Sequence, residues 1–474
     1  LRSERLPAPD DEQEARERLL AVSIPAAIMA VLETLDRAGY HGVVVGGAVR
    51  DALLGEPGGD WDVASNATPE EVVALFRKTI PTGIEHGTVT VLSGRGDDRH
   101  AVEVTTFRGE GEYHDGRRPS EVRFLRELTE DLARRDLTIN AFAWDPVNRV
   151  FTDAFGGLAD LRAGLIRAVG DPARRFAEDG LRTMRAVRFA ATMGFALAAE
   201  TEAAIAGALA VFDKVSRERV RVELVKLLIA PEPSRGLLPM ARTGLWDRVL
   251  APLADPVRAE TIAAVDRLPA RPMLRLARLL WPVRHQRAEL EHVLDQLKLS
   301  RDERARVLRT TDPCVDELAA AVELELELDG VIDSQRVGPK GPSEARVSER
   351  AEAEPSTVRV RLDGVNDGMQ EQGACIRRIV AALERPYLED ALDLLELDAE
   401  ARGRVDAALA GAALTGKQLA IKGRDLIAAN IAAPGKQLGE LLDGLLDWVL
   451  DDPTRNTAEQ LLAEARSRGA AERR

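Results

Sequence analysis

Two short stretches, VVVGGAVRDALLG and GGDWDVAS, bring a glycine pair, an arginine and two aspartates together within residues 43–65. Asp60 and Asp62 flank Trp61. On a strand, residues i and i+2 point to one face, about 6.5–7 Å apart along the backbone. Carboxylates held side by side repel unless cations sit between them. Hard oxygen ligands of this kind suit Mg²⁺. Two such ions ~3.5–4 Å apart can clamp the attacking and leaving oxygens of a phosphoryl displacement. A third acid, Glu103, lies in the strand-like AVEVTTFR and is a candidate for the same metal face. Taken alone, the aspartate pair also fits a solvated strand end, and Glu103 an exposed strand glutamate.

The glycines suggest the partner of that metal face. Val43 to Val45 read as a strand running into Gly46 and Gly47, with helix formers up to Gly55. A helix that starts straight after a glycine turn offers unpaired N–H groups and the positive end of its dipole. Glycine lets a phosphate approach the backbone closely. Arg50, in the first turn, can fork onto the same phosphates. An ordinary strand–turn–helix with a surface arginine is the competing account.

These residues need a mixed α/β frame. An amphipathic helix is expected over about 25–38, strands over GVVV, DWDVAS, VTVLSG and AVEVTTFR, and a helix over PEEVVALFR opened by Thr68 and Pro69. After about residue 160 strand signals fade and a run of helices follows. The expected fold class is α+β, with a mixed α/β head followed by all-α domains. The expected divisions are a polar lead-in over 1–22, a head over 23–160, a helical neck over 161–228, a helical body over 229–325, a polar linker or insertion over 326–360, and a helical tail over 361–474. Within the linker, 330–357 is polar and lacks a large apolar period.

Composition narrows the classes. A chain of 474 residues is too long for one core. No apolar run approaches the ~20 residues of a membrane span, so no membrane partner is expected. The first twenty residues are charged throughout and lack a signal-peptide pattern. The chain opens on Leu1 rather than methionine, which leaves room for residues before it. Cys314 and Cys375 are the only cysteines, so neither a disulfide framework nor a zinc site is expected, and a cytoplasmic setting is the default. The net charge of −14 argues against a non-specific nucleic-acid coat. Residues 160–190 nevertheless carry seven arginines against four acids, a local basic stripe suited to selective phosphate contact.

GGAVRD followed by DWD resembles the head signature of the nucleotidyltransferase superfamily. More narrowly, the chain resembles bacterial class II tRNA nucleotidyltransferases and their poly(A) polymerase relatives. Five further stretches fit in order: TFRGEGEYHDGRRPSEVRF, RRDLTINAFAWD, DPARRFAEDGLRTMRAVRFA, SRERVRVELVKLL and the tail stretch beginning LAIKGRDLIAAN. The likeness is dense over 40–250 and returns over roughly 415–465.

The resemblance makes Arg134, Arg135 or both a triphosphate contact; an ion pair with Asp136 is the bland alternative. In EDGLRTMRAVRF, a helix would space Asp179, Arg182, Arg185 and Arg188 by three, beside an apolar stripe of Leu181, Met184 and Val187. Cytosine and adenine share an amino donor beside a ring-nitrogen acceptor, whereas uracil and guanine reverse that pattern. Asp179 as acceptor and Arg182 as donor therefore fit C and A. Arg185 and Arg188 would steady the helix or reach the phosphates. A solvated charged face is the alternative. Tyr113, His114, Asp115, Arg117 and Arg118 resemble a mobile loop whose presence favours addition of a terminal A. His86, His100, His285 and His292 are read as structural or exposed, and Trp246 and Trp281 as core residues.

The reaction implied is attack of an RNA 3′-hydroxyl on the α-phosphate of CTP or ATP, with Mg²⁺ on Asp60 and Asp62 and with tRNA as partner, held by body and tail at its elbow. Full CCA addition, addition of the terminal A alone, and poly(A) polymerisation all fit these motifs. A non-catalytic RNA-binding module is the remote alternative.

Overall fold

A computed structural model of the chain describes residues 5–56, 60–83, 87–94, 100–110, 122–124, 126–322 and 365–471. The proposed loop residues 113–118, His86 and the 326–360 stretch lie outside them. The fold is α+β. Its head is built on strands β1 (Gly42–Val45), β2 (Asp62–Ser65), β3 (Thr79–Gly83), β4 (Thr88–Ser93) and β5 (His100–Thr106). After the small hairpin β6 (Arg108–Glu110) and β7 (Val122–Phe124) come β8 (Phe142–Asp145) and β9 (Val150–Asp153). Seven of these form one sheet in the order β3-β4-β5-β2-β1-β8-β9. The β2–β5 pair is parallel and its other neighbours are antiparallel.

The unbroken valine run of β1 is buried throughout, as a strand covered on both faces requires. Val43, Val45, Ala64, Phe107, Leu132 and Ala143 pack together in one core cluster. Helix α1 (Glu12–Ala21) precedes the sheet, and helix α2 (Ala26–Arg37) buries Val31, Leu32 and Leu35. Helix α3 (Gly47–Leu53) follows the glycine pair. Thr68 and Glu71 form a reciprocal cap on helix α4 (Pro69–Leu75).

The first segment differs from the sequence expectation of a polar lead-in. In α1, Ala15 and Leu19 are buried, Asp11 caps the N-terminus, and Arg18 donates to the Leu53 carbonyl at 3.0 Å. Two apolar residues suffice because the charged side chains around them face solvent or bond to backbone carbonyls.

Helices α5 (Leu128–Ala133) and α6 (Gly157–Ala163) lead to the neck helices α7 (Pro172–Glu178), α8 (Leu181–Met193), α9 (Ala199–Gly207), α10 (Leu209–Phe212) and α11 (Arg217–Leu228). Asp179 was expected on a helix with Arg182. It lies instead in the break between α7 and α8, with extended dihedrals. Gly180, which follows at the N-cap of α8, packs closely on α10: a Cβ there would stand 2.5 Å from the Phe212 nitrogen.

The chain forms two compact units, Leu1–Arg275 with Gln286–Leu299, and Leu276–His285 with Ser300–Arg474. The expected body over 229–325 is therefore divided between them. In the first unit, Arg275 is buried and donates to the carbonyls of Leu228, Ala230 and Leu268. In the second, Trp281 packs against a core that includes Val315, Leu318, Ile376 and Leu383. That unit is helical, and a further cluster contains Leu419, Leu426, Leu445 and Leu461. Among the described residues no single helix is long and apolar enough to cross a membrane.

Head and neck meet within the first unit at residues 133–136. Arg175 donates to the Ala133 carbonyl at 2.6 Å and Arg182 to that of Arg134 at 3.0 Å. Arg185 donates from Nε to Asp136 Oδ2 at 2.7 Å. Burial raises the Asp136 pKa, but Arg185, Asn140 and Arg182 outweigh it and hold the carboxyl at about 2. A carboxyl depressed in the folded state stabilises the fold above its ordinary pKa of 3.8, and that contribution is lost as pH falls towards about 2. Asp136→Asn should therefore cost about 2 kcal/mol at neutral pH. It should also flatten the acid-side loss of stability below the ordinary carboxylate range. Denaturant unfolding at neutral and acid pH checks both.

Candidate active site

The sheet register assembles the acidic group. Val63 of β2 lies opposite Val104 of the parallel strand β5, so the preceding residues, Asp62 and Glu103, stand side by side. Asp62 also faces Val45 across β1, which puts it at the strand end where Gly46 begins the turn. Asp60 falls just before β2 rather than on it. Asp60, Asp62 and Glu103 line one open cavity of about 520 Å³, together with Pro25, Ile28, Trp61, His100 and Ala101. Burial pushes the Asp62 carboxyl up; Glu103 and Asp60 add repulsion, while Arg135 opposes them. The three acids thus feel one another, and Arg135 is the cation that reaches Asp62.

The sequence reading put Arg50, with Arg134 or Arg135, at the glycine turn; in the structure Arg135 lies against Gly46 and Arg50 against Gly47. A Cβ on Gly46, which has a φ of +79°, would come within 3.0 Å of Arg135 Nη1. Only glycine fits this left-handed turn beneath the guanidinium. Arg135 Nε is buried without a hydrogen-bond partner, and burial lowers the pKa of the group. An anionic ligand in the turn would satisfy such a donor. Asp131 engages both arginines: Arg134 forks onto Oδ1 through Nε at 3.0 Å and Nη2 at 2.7 Å, and Arg135 Nη2 lies 3.5 Å from Oδ2. Arg50 is turned inwards: it donates to Asp51 Oδ1 from Nε and Nη2 and to Asn140 Oδ1 from Nη1. It is only 7% exposed, so a phosphate would have to displace an existing ion pair to use it. Helix α3 has seven residues, and Gly47 packs against the Arg50 guanidinium.

On the neck side, Asp179 Oδ1 accepts from the Leu181 N–H at 3.0 Å, and Oδ2 accepts from Arg219 Nη2 at 2.7 Å. Arg182 Nη1 donates to Glu178 Oε2 at 2.5 Å and to the Arg175 carbonyl at 3.0 Å. The bond from Arg182 to the Arg134 carbonyl brings this pair beside the arginines of the head. Arg188 donates to Glu223 Oε2 at 2.8 Å, and Arg185 to Asp136. Neither therefore belongs to a merely solvated charged face. The sequence reading missed Arg219, Glu178, Glu223 and Asn140. Arg219 and Glu223 lie forty or so residues from their partners, and no local spacing couples them. Asn140 carries a local signal, four residues after Asp136, to which it donates.

Of the residues read as structural, Trp246 is fully buried and donates Nε1 to the Ala251 carbonyl. Trp281 carries the Arg284 guanidinium 4.2 Å from its ring centroid. His285 lies 3.4 Å from Asp316, while His100 lines the acidic cavity.

The donor set is suited to a hard divalent ion. Among the described residues no three His, Cys, Asp or Glu side chains are posed to enclose a metal by themselves. An ion held by one or two carboxylates, with substrate phosphates completing its shell, needs no such cage. The mutual repulsion around Asp62 is the feature a bound cation would relieve.

The family described as "Poly A polymerase head domain" matches residues 43–167, and "Probable RNA and SrmB- binding site of polymerase A" matches 194–257. The CCA-adding enzyme of Levilactobacillus brevis is 50% identical over 216 residues, 46% of this chain and 53% of that one. The match to that relative thus spans about half its length. The CCA-adding enzyme of Pediococcus pentosaceus is 34% identical over 440 residues, 91% of this chain and 95% of its own. The crystal structure of the Bacillus stearothermophilus CCA-adding enzyme in complex with CTP superposes with a TM-score of 0.65 at 30% identity, covering 95% of this chain and 99% of that one. The Thermotoga maritima enzyme complexed with tRNA, 20% identical at a TM-score of 0.64, shares the fold. A head sheet that gathers three acids beside a glycine turn, joined to a helical neck, is thus accompanied by likeness along nearly the whole chain, and the protein belongs to the CCA-adding enzyme family of nucleotidyltransferases.

Proposed function

We propose that this protein adds CCA to the 3′ end of tRNA, transferring nucleotides from CTP and ATP and releasing pyrophosphate. The observation that carries this reading is the convergence of Asp60, Asp62 and Glu103 on one cavity, with Arg135 reaching Asp62 from the glycine turn. Family membership and the named ligands of the relatives, CTP and tRNA, support it. The 3′-hydroxyl oxygen attacks the α-phosphate. Its new bond to phosphorus forms as the bond to the β-phosphate bridge breaks, and its proton leaves towards the acidic group. Asp60 and Asp62, with Glu103 beside them, are the side chains that would hold Mg²⁺. When bound, the ion would lower the proton affinity of the hydroxyl and neutralise charge on the phosphates. Arg135, with its unpartnered Nε, orients the triphosphate over Gly46 and Gly47.

Base choice falls to Asp179 and Arg182. The Leu181 N–H and Arg219 fix the Asp179 carboxylate, whose remaining lone pairs are available to accept from an amino group of the base. The tRNA elbow is assigned to the helical domains after the neck, by shape and phosphate contact. The cytoplasm is the proposed compartment, consistent with Cys314 and Cys375 both being free thiols.

Three measurements test this reading. The first uses tRNA transcripts lacking the CCA end, ending in one C, or ending in CC, each given CTP and ATP together, one of them labelled, with magnesium. All three should be completed to CCA. Extension of the CC transcript alone would identify an A-adding enzyme, and long A-tracts on generic RNA a poly(A) polymerase. Secondly, Asp60→Ala should abolish incorporation while its melting curve stays close to that of the parent; turnover in the folded variant sinks the metal assignment. Thirdly, Arg182→Ala should relax selection among the four nucleotides by about tenfold or more, read as the ratio of CMP to UMP incorporated. Unchanged fidelity counts against the base-reading pair.

A further inference from the structure

Between the glycine turn and the base-reading helix lies a buried polar chain that the reading above leaves unused. Asn140 is at its centre and is 6% exposed. Its side-chain oxygen accepts from Arg50 Nη1 at 2.5 Å, its amide donates to Asp136 Oδ1 at 3.2 Å, and its carbonyl lies 3.5 Å from Arg135 Nη1. Asp136 in turn accepts from Arg185. A side chain that accepts on one side and donates on the other, at this length, is what an asparagine supplies; an aspartate would set one carboxylate against another.

Phe189 closes the same circuit. The guanidinium carbons of Arg188, Arg50 and Arg185 lie 3.6, 5.2 and 5.6 Å from its ring centroid. All three fall within the ~6 Å over which a ring face attracts a cation. Three cations around one ring repel one another. Here Arg50 is paired with Asp51, Arg185 with Asp136 and Arg188 with Glu223, so each charge has its own counter-ion. Arg50 belongs to the helix leaving the glycine turn, whereas Arg185 and Arg188 belong to the helix that begins beside Asp179 and Arg182. A tilt of the base-reading helix therefore moves the ring and the Asp136–Asn140 link, and with them the phosphate turn.

We propose that Asn140 and Phe189 are positioning residues that couple base reading in the neck to triphosphate alignment in the head, so that a mismatched base is added slowly even when it binds. The inference rests on the proposed nucleotidyl transfer and on the assignment of Asp179 and Arg182. It predicts that the coupling needs the aromatic face of Phe189 and not its bulk alone.

The test is single-turnover incorporation of CMP and UMP on a CCA-less tRNA transcript, with kcat and KM for CTP and a melting curve for each variant. Phe189→Leu should lower kcat and the CMP-over-UMP ratio each by about tenfold, while KM for CTP moves less than about threefold. Phe189→Tyr, which keeps the ring, should stay within about twofold of the parent in all three. Asn140→Asp supplies an independent arm and should reduce the same ratio by about tenfold. It carries the decision should Phe189→Leu melt early. An unchanged ratio in folded Phe189→Leu or in Asn140→Asp, or a Tyr variant as defective as the Leu variant, overturns the inference. A parent protein that incorporates neither nucleotide would instead overturn the proposed function.

Discussion

Three arginines of the neck meet three residues of the head, and the arrangement of the site depends on that meeting. Arg175 and Arg182 cap the carbonyls of Ala133 and Arg134, and Arg185 binds the carboxylate of Asp136. These carbonyls lie at and just past the end of α5, where a helix leaves acceptors without partners. Guanidinium groups supply fixed forks of donors that satisfy such acceptors while remaining charged. Burial alone would push Asp136 towards its neutral form. The arginines reverse that tendency, so the seam is held by charge that water no longer screens. Arg135, between Arg134 and Asp136, is thereby aimed at the glycine turn.

The acidic group depends on a different device, the sheet register. One parallel pairing in an otherwise antiparallel sheet sets Asp62 beside Glu103, and the neighbouring antiparallel pairing sets Asp62 beside the start of the turn. A one-residue slip would send these side chains to the opposite face. Buried valines at Val63, Val102 and Val104 anchor the register against that slip. The apolar core of the head therefore serves the chemistry directly. It holds like charges close together, an arrangement the folded chain tolerates because the cavity they line is open to water and to a cation.

In the proposed function, phosphate and base recognition rest on separate scaffolds. The proposed triphosphate side rests on β-structure and a short turn, and the proposed base side on the break between α7 and α8 together with α11. A protein with that proposed function must keep these two surfaces in a defined relation. Here the relation is maintained by buried ion pairs and one aromatic ring rather than by a rigid shared element. Such pairs are costly to break singly, because each leaves an uncompensated charge, and they have directional geometry that apolar packing lacks.

Much of this was legible in the order of residues. The valine run, the glycine pair, Thr68 with Pro69, and the alternation of AVEVTTFR encode local structure, and each was found as expected because its physics is local. The two acids and the charged neck motif could also be read as chemistry, since residue type and spacing limit what such groups can do. Other features depended on contacts far apart in sequence. Arg50 faces inwards because Asn140 and Phe189 are there to receive it. Asp179 lies outside the helix, where Arg219, forty residues further on, pairs with it. Charged α1 buries Ala15 and Leu19, which the composition around them conceals. Asp131 pairs with both arginines of 134–135, and it is Arg135 whose guanidinium also reaches Gly46, a difference that appears only when the chain has folded. Local preferences are carried by neighbours along the chain, whereas the pairing of long, flexible charged side chains is decided by whichever partners the fold delivers within reach.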